Sequence, residues 1–404
     1  MAADRTNHTD CTDPTPEHGH NGHNLEVDFR ATPSTRSLTW QVPESLVRGI
    51  PFRCLLAGGG RPFRTKSDSA KTLAKQLKPC VTYDAFISHD WQTSGWLKYA
   101  SLLLLFNSQT AAIVTLVVSV AGGLLIFYEL LPNSDWAICI GYLTFIVLLL
   151  FWQNIRDVFR KPKLAFMDKL TIPQEDEKLK EQCILGLAGF LQRSETLVIL
   201  WSESYIGRVW CVYEFAAFTR MHSGKGNVQA VPVTFPLLLL LHAAWWLAVN
   251  LVIYVVWNSL DLALPILILL CWCSIGLFFL IGFPVQSWAG RRLTRNLHSL
   301  TAQLSHFDVN EAKCSCCSCG HVSSEGEEIP CDRELIYQSL QDWYGKDSDD
   351  LQAGLERFNA VVRNKLTGQI LQTWGGNAVP VKIFTYSVFS MHTPFLITRI
   401  PATL

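Results

Sequence analysis

The chain has 404 residues, 49% of them hydrophobic and only 17% charged, with acidic and basic side chains in equal number. A formal net charge of zero argues against nucleic acid or any general polyanion as a partner. The apolar excess is high for a soluble chain and is concentrated in two blocks.

Residues 1–75 are rich in Asp, Thr, Pro, His, Gly and Arg and predict a polar, mostly disordered arm. Residues 1–20 lack an apolar core segment, so no cleavable secretory signal is expected. His18, His20 and His23 read as part of a linker, because no carboxylate or cysteine set completes a metal site. Thirteen cysteines, an odd number without the spacing of a secreted disulfide framework, fit a reducing setting for the soluble parts.

Tyr83-Asp84-Ala85-Phe86-Ile87-Ser88-His89 predicts a strand within a first domain segment at 78–100, with Asp90 and Trp91 at its end. Residues 101–128 and 136–154 then carry no charge, and each run is long enough to cross about 30 Å of hydrocarbon. With only 129–135 between them they predict a tight transmembrane hairpin over 101–154. Residues 160–235 return to a mixed pattern. A strand is expected at 163–167, a helix where Leu179, Cys183, Leu187, Phe190 and Leu191 recur, a buried strand at 197–201, and a helix beyond it. A fourth strand is expected at 228–234, with Pro232 marking an edge or an end.

Two more uncharged runs, 236–260 and 262–290, are interrupted by Asp261 and predict a second hairpin over 236–285. Arg156, Arg160, Lys161 and Lys163 flank the first hairpin and Arg291, Arg292 and Arg295 the second, while neither short connection holds Lys or Arg. The positive-inside rule therefore predicts a multi-pass protein with both termini and every soluble segment cytosolic, leaving no ligand-binding ectodomain. Beyond 286 the polar C-terminal region predicts helices at 291–307, 332–344 and 351–366. Its last thirty residues have strand-like composition.

That region carries Cys314, Cys316, Cys317, Cys319, His321 and Cys331. Cys314/Cys317 and Cys316/Cys319 each have the spacing that lets two thiolates meet one tetrahedral zinc, and His321 and Cys331 could close the site. The expected ligands are Cys314, Cys317, Cys319, His321 and Cys331. Free thiols, or thiols acylated beside the membrane, are the alternative.

Strands alternating with helices argue for an α/β fold with a flavodoxin-like parallel sheet, interrupted by two transmembrane hairpins and followed by a helical C-terminal region. On the helix after the 197–201 strand, Trp210 and Glu214 lie four apart and share a face. The set Ser202, Tyr205, Trp210, Cys211 and Glu214, together with 83–89 and with Phe166-Met167-Asp168 ahead of Pro173, resembles the Toll/interleukin-1 receptor (TIR) domain. The resemblance covers about 78–105 and 160–235, and Gln174 stands where the family has glycine.

The resemblance implies that Glu214 is the catalytic carboxylate of an NAD⁺ nucleosidase. Breaking the nicotinamide–ribose bond passes through a cationic sugar that one carboxylate can grip and stabilise, with no cofactor required. By the same resemblance Phe86, Ser88, His89, Ser202, Tyr205 and Trp210 bind the substrate, and the loop holding Asp168 and Pro173 mediates self-association or pairing with other TIR domains. Membrane lipids are the remaining partner. A non-catalytic TIR scaffold is the alternative function, and a small transporter or channel a further one.

Overall fold

The computed structural model describes residues 38–64, 73–131, 134–223, 226–259, 264–322, 326, 328, 330–345, 350–368 and 379–403. His18, His20, His23 and Asp261 lie outside them. A six-stranded sheet forms the centre: β1 (Arg48–Pro51), β2 (Lys78–Pro79), β3 (Ala85–His89), β4 (Leu164–Phe166), β5 (Thr196–Trp201) and β6 (Asn227–Pro232), in the order β2-β1-β4-β3-β5-β6.

The four strands β4, β3, β5 and β6 run parallel, with Phe86 opposite both Phe166 and Leu197, and Trp201 opposite Pro232. β5 is apolar and buried from Leu197 to Trp201, as a strand covered on both faces must be. Pro232, which donates no ladder hydrogen bond, ends the edge strand.

The sheet is mixed, not wholly parallel. β1 and β2 add an antiparallel edge, Ile50 pairing with Ala165 and Gly49 with Lys78. β1 comes from the stretch read above as part of the polar arm. Its apolar residues, Val47, Ile50, Phe52 and Leu55, are too few to give a periodicity, yet all are buried once β4 offers an edge to pair with.

Helix α1 (Gly95–Phe127) follows β3 directly and has 33 residues, about 50 Å of helix. That is well over the thickness of a hydrocarbon core, and its first turns do a second job. Tyr99, Leu102 and Leu103 pack on Ala85, Ile87, Val198 and Leu200, so the crossover helix and the apolar helix are one element. At its far end Glu129 adopts a left-handed conformation (φ 56°). Leu130 N–H bonds Leu125 O and Glu129 N–H bonds Ile126 O, closing the helix before α2 (Ser134–Phe159) returns. The described residues contain two helices long and apolar enough to cross a membrane, Gly95–Phe127 and Trp136–Phe159.

Helices α3 (Glu177–Leu185) and α4 (Leu187–Gln192) start from an Asp176 cap that accepts the Lys178 and Leu179 N–H groups. Helix α5 (Val209–Met221) lies with them on the second face of the sheet, where Phe166, Phe190, Leu197, Ile199 and Phe215 share one core. A Cβ at Gly189 would collide with Trp40 O, so that glycine admits the 40–42 segment.

The second apolar block forms α6 (Phe235–Ser259) and α7 (Leu264–Leu277). A π turn at Phe278–Gly282 links α7 to α8 (Phe283–Ser305), just ahead of Pro284, which has no N–H to give an α-type bond. Within this block, among the described residues, Phe235–Trp246 is a shorter apolar helix.

Helices α9 (Asp332–Tyr344) and α10 (Leu351–Val361) pack on α5. Ile336, Leu340, Leu355 and Phe358 join its core, and Trp343 stacks on Tyr213 at 5.4 Å. Each such fully buried Leu, Ile or Phe contributes about 1.5–3 kcal/mol. The C-terminal region is thus the outer layer of the sheet domain. Its strand-like end is instead a helix, α11 (Val379–Thr403), lying along α1 and α2. Tyr142 Oη and Trp246 Nε1 both donate to Met391 O, and Gly123 and Gly141 admit Ile397 and Pro394 where a Cβ would clash. Among these apolar helices a helix bonds its own backbone, which a lone strand could not do.

Candidate active site and the adjoining cysteine cluster

The parallel register brings the carboxyl ends of β3 and β5 side by side, with His89 opposite Leu200, and the 202–208 turn folds back over them into α5. Side chains alternate along β3. Phe86 and Ser88 face α5, while Ile87 and His89 face α1.

Ser88 Oγ lies 2.5 Å from Tyr205 Oη and 2.5 Å from Glu214 Oε2. A hydroxyl has one proton, so Ser88 donates to Glu214 while Tyr205 donates to Ser88. Burial pushes the Glu214 carboxyl up. The Ser88 hydrogen bond opposes this, nearby Asp168 adds to it, and the result is about 8. Burial also lifts Asp168, to about 6, against the Lys169 N–H bond (2.7 Å) and the Lys98 charge. Two carboxyls of unequal acidity therefore meet at one sheet edge, Asp168 mostly ionised at neutral pH and Glu214 mostly protonated.

Asp90 anchors the turn. Its buried carboxylate accepts from Ser204 Oγ (2.5 Å), Arg208 Nε (3.1 Å) and Gln92 N–H (3.2 Å), with Ser202 Oγ at 3.5 Å. Burial alone would raise its pKa. The bonds from Ser204 and Gln92 and the Arg208 charge outweigh burial and hold it below the usual carboxylate range. His89 is buried, its ring tilted against Trp91 with centroids 4.7 Å apart, and its Nε2 has no hydrogen-bond partner among the described residues. Burial, reinforced by the Lys98 charge, lowers its pKa to about 3, so the ring is neutral. Trp91 lies between the Lys98 and Lys169 ammonium groups, 5.7 and 5.3 Å from its centroid.

Ser88, Tyr205 and Glu214 thus converge, and Ser202 and His89 sit one shell away. Phe86 stacks at 4.7 Å on Phe166, 1% exposed, inside the core. Trp210 turns away from the sheet, its Nε1 donating to Asp332 Oδ2 at 3.0 Å. Asp168 opens the short helix Asp168–Thr171, and Pro173, partly buried, follows that helix. Comparison with family models, curated proteins and solved structures finds no match to this chain.

Ser204, Arg208, Lys98 and Lys169 went unread in the sequence. Asp90 ends β3, but Arg208 lies seven residues past the end of β5, at the start of α5, so no strand-end pattern pointed to it. Nothing linear signals Asp332, 122 residues from Trp210.

The C-terminal region covers the start of α5 beside the site, while Glu214 and Asp168 stay partly exposed. The C-terminal region meets α5 through Lys313 N–H to Gly207 O (2.6 Å) and Val209 N–H to Lys313 O (3.2 Å). A cavity beside α5 is wholly apolar, lined by Ile199, Trp201, Ile206 and Phe215 among others and bounded by Phe307 and Val362.

Beside that cover the ligand atoms of Cys316, Cys317, His321 and Cys331 all lie within 4.8 Å of one another, and those of Cys314, Cys316 and Asp332 form an overlapping group. These residues could hold a metal ion. Of the ligands expected from spacing, Cys317, His321 and Cys331 belong to the four-residue group. Cys314 falls in the other group, and Cys319 in neither, being held in a disulfide.

Proposed function

We propose that this chain is a membrane-anchored, TIR-like signalling protein with a flavodoxin-like cytosolic domain, four spans, and a catalytic Glu214 that hydrolyses NAD⁺ once copies associate. The observation that carries the reading is the Tyr205–Ser88–Glu214 chain at the carboxyl edge of a parallel sheet, the place where open α/β folds bind ligands. A carboxyl with a strongly shifted pKa in such a place supports a functional role.

In the reaction the C1′–N bond of nicotinamide ribose breaks, nicotinamide leaves with the electron pair, and water adds at C1′. Glu214 as the carboxylate would hold the ribose hydroxyls and offset the positive charge of the sugar. Ser88 and Tyr205 orient it. Without substrate Glu214 is mostly protonated, so substrate entry and water would both lower its pKa and activate it. The Cys/His cluster would bear structural zinc, and α6, α7 and α8 would supply the second hairpin.

The test is nicotinamide release from NAD⁺ by the full chain in lipid nanodiscs. Glu214→Gln is expected to lower the rate about 100-fold, and release that persists in the variant overturns the assignment. The protonated state of Glu214 favours one other reading, a scaffold that recruits TIR domains through the Asp168–Pro173 loop without turnover. Absence of nicotinamide at every protein density, with partner capture lost on altering that loop, would establish it.

A further inference from the structure

We infer that Cys316, Cys317, His321 and Cys331 bind one zinc ion, and that this ion locks the C-terminal cover onto the helix carrying Trp210 and Glu214. Neither half needs Glu214 to be catalytic; only the bearing of the lock on activity rests on that reading.

Tetrahedral zinc with bonds of about 2.3 Å places its sulfur ligands about 3.8 Å apart. Cys317 Sγ and Cys331 Sγ are 3.7 Å apart, and all four ligand atoms fit within 4.8 Å. The ligands come from two backbone pieces. Cys316 and Cys317 sit in the turn Ser315–Ser318, and Cys331 precedes α9. His321 is brought back by two successive left-handed residues, Gly320 (φ 64°) and His321 itself (φ 61°), with His321 N–H bonded to Cys316 O at 2.8 Å. A left-handed histidine is costly backbone that a bound ion would repay. Its Nε2 is buried and has no hydrogen-bond partner among the described residues.

Three thiols and one imidazole suit zinc and not the oxygen-seeking magnesium or calcium. Neighbouring groups hold the ligand sulfur in place as well. Asp332 N–H reaches Cys316 Sγ at 3.3 Å, and Cys314 Sγ lies 3.1 Å from the same sulfur.

The link to the candidate active site is short. Asp332 N–H bonds the ligand Cys316, and the Asp332 carboxylate accepts from Trp210 Nε1 at 3.0 Å, one helical turn from Glu214. On the other flank, Lys313 bonds Gly207 and Val209 at the start of α5, and Arg333 Nη2 donates to Ala312 O at 2.7 Å, tying both pieces together. Zinc joins the 314–321 turn to the start of α9, so losing it frees Asp332 and Lys313 together.

The experiment uses the full chain purified in detergent. Elemental analysis is expected to find one zinc per chain, lost in His321→Ala and in Cys331→Ser, and kept in His321→Cys and in Cys314→Ser. Cobalt put in its place is expected to give the absorption of a tetrahedral thiolate site. No stoichiometric zinc in the wild type, iron in its stead, or zinc retained in Cys331→Ser overturns the site.

Hydrogen exchange reads the lock without any activity. Stripping zinc should speed exchange of the Val209 amide about tenfold, and unchanged exchange there overturns the coupling. If the zinc and exchange results hold while NAD⁺ is never cleaved, the lock stands and the catalytic reading alone falls.

Discussion

At the residue scale the chemistry turns on one proton. If Glu214 works as a carboxylate, nicotinamide release should rise about tenfold per pH unit and level off above about 8. Ser88 lowers that pKa by donating to the carboxylate, so Ser88→Ala should move the midpoint to higher pH; a pH–rate profile that stays put or shifts down refutes the role of the serine. His89 makes a separate statement about stability. Its folded pKa of about 3 is below the value for a free imidazole, so between about 6.5 and 3 the unfolded chain binds a proton that the folded chain refuses. Stability conferred by the neutral ring is therefore lost as pH falls through that window. Melting curves from pH 7 to 4 should be flatter in His89→Gln than in the wild type.

At the element scale two junctions carry the architecture. The 202–208 turn is pinned by the buried Asp90 carboxylate, whose side chain is 0% exposed and whose partners come from both sides of that turn. Asp90→Ala leaves Arg208 unpaired and should cost about 3 kcal/mol, measured as a lower thermal midpoint in detergent. The second junction is α11 against the first hairpin. Gly141 has a Cβ position 2.7 Å from Pro394 and Gly123 one 3.1 Å from Ile397 O, so Gly141→Leu must displace α11. Limited proteolysis should then release the C-terminal helix; protection equal to wild type would mean that this packing holds nothing in place.

At the scale of the whole molecule, α1 makes the sheet domain and the apolar hairpin a single body. Its first turns bury Leu102 under β3 and β5, and its remaining length runs out of the domain. A hairpin in the membrane would hold the sheet at a fixed height above the lipid and raise the local concentration of neighbouring copies. Impermeant thiol labelling in intact vesicles should find cysteines introduced at Glu203 and Asp342 on one side and one at Leu130 on the other. Labelling of Glu203 and Asp342 from opposite sides would end the membrane reading, because both belong to the same packed layer.

What the linear chain determined is what short-range patterning controls. The apolar runs of α1 and α2, the strand β5 and the limits of α9 follow from hydrophobic continuity or spacing that neighbours in sequence impose on each other. Ser88, Tyr205 and Glu214 were named through the resemblance of their motifs, and only the helix face of Glu214 followed from spacing. Tertiary structure alone decided the rest. β1 is a strand because β4 leaves an edge open, the 379–403 segment is a helix because it lies among helices, and Cys316 stands where Cys319 was expected because it gathers with Cys317, His321 and Cys331 while a disulfide holds Cys319. Each depends on a partner distant in the chain, and the free energy that selects it comes from burial and pairing that exist only after the chain has closed on itself.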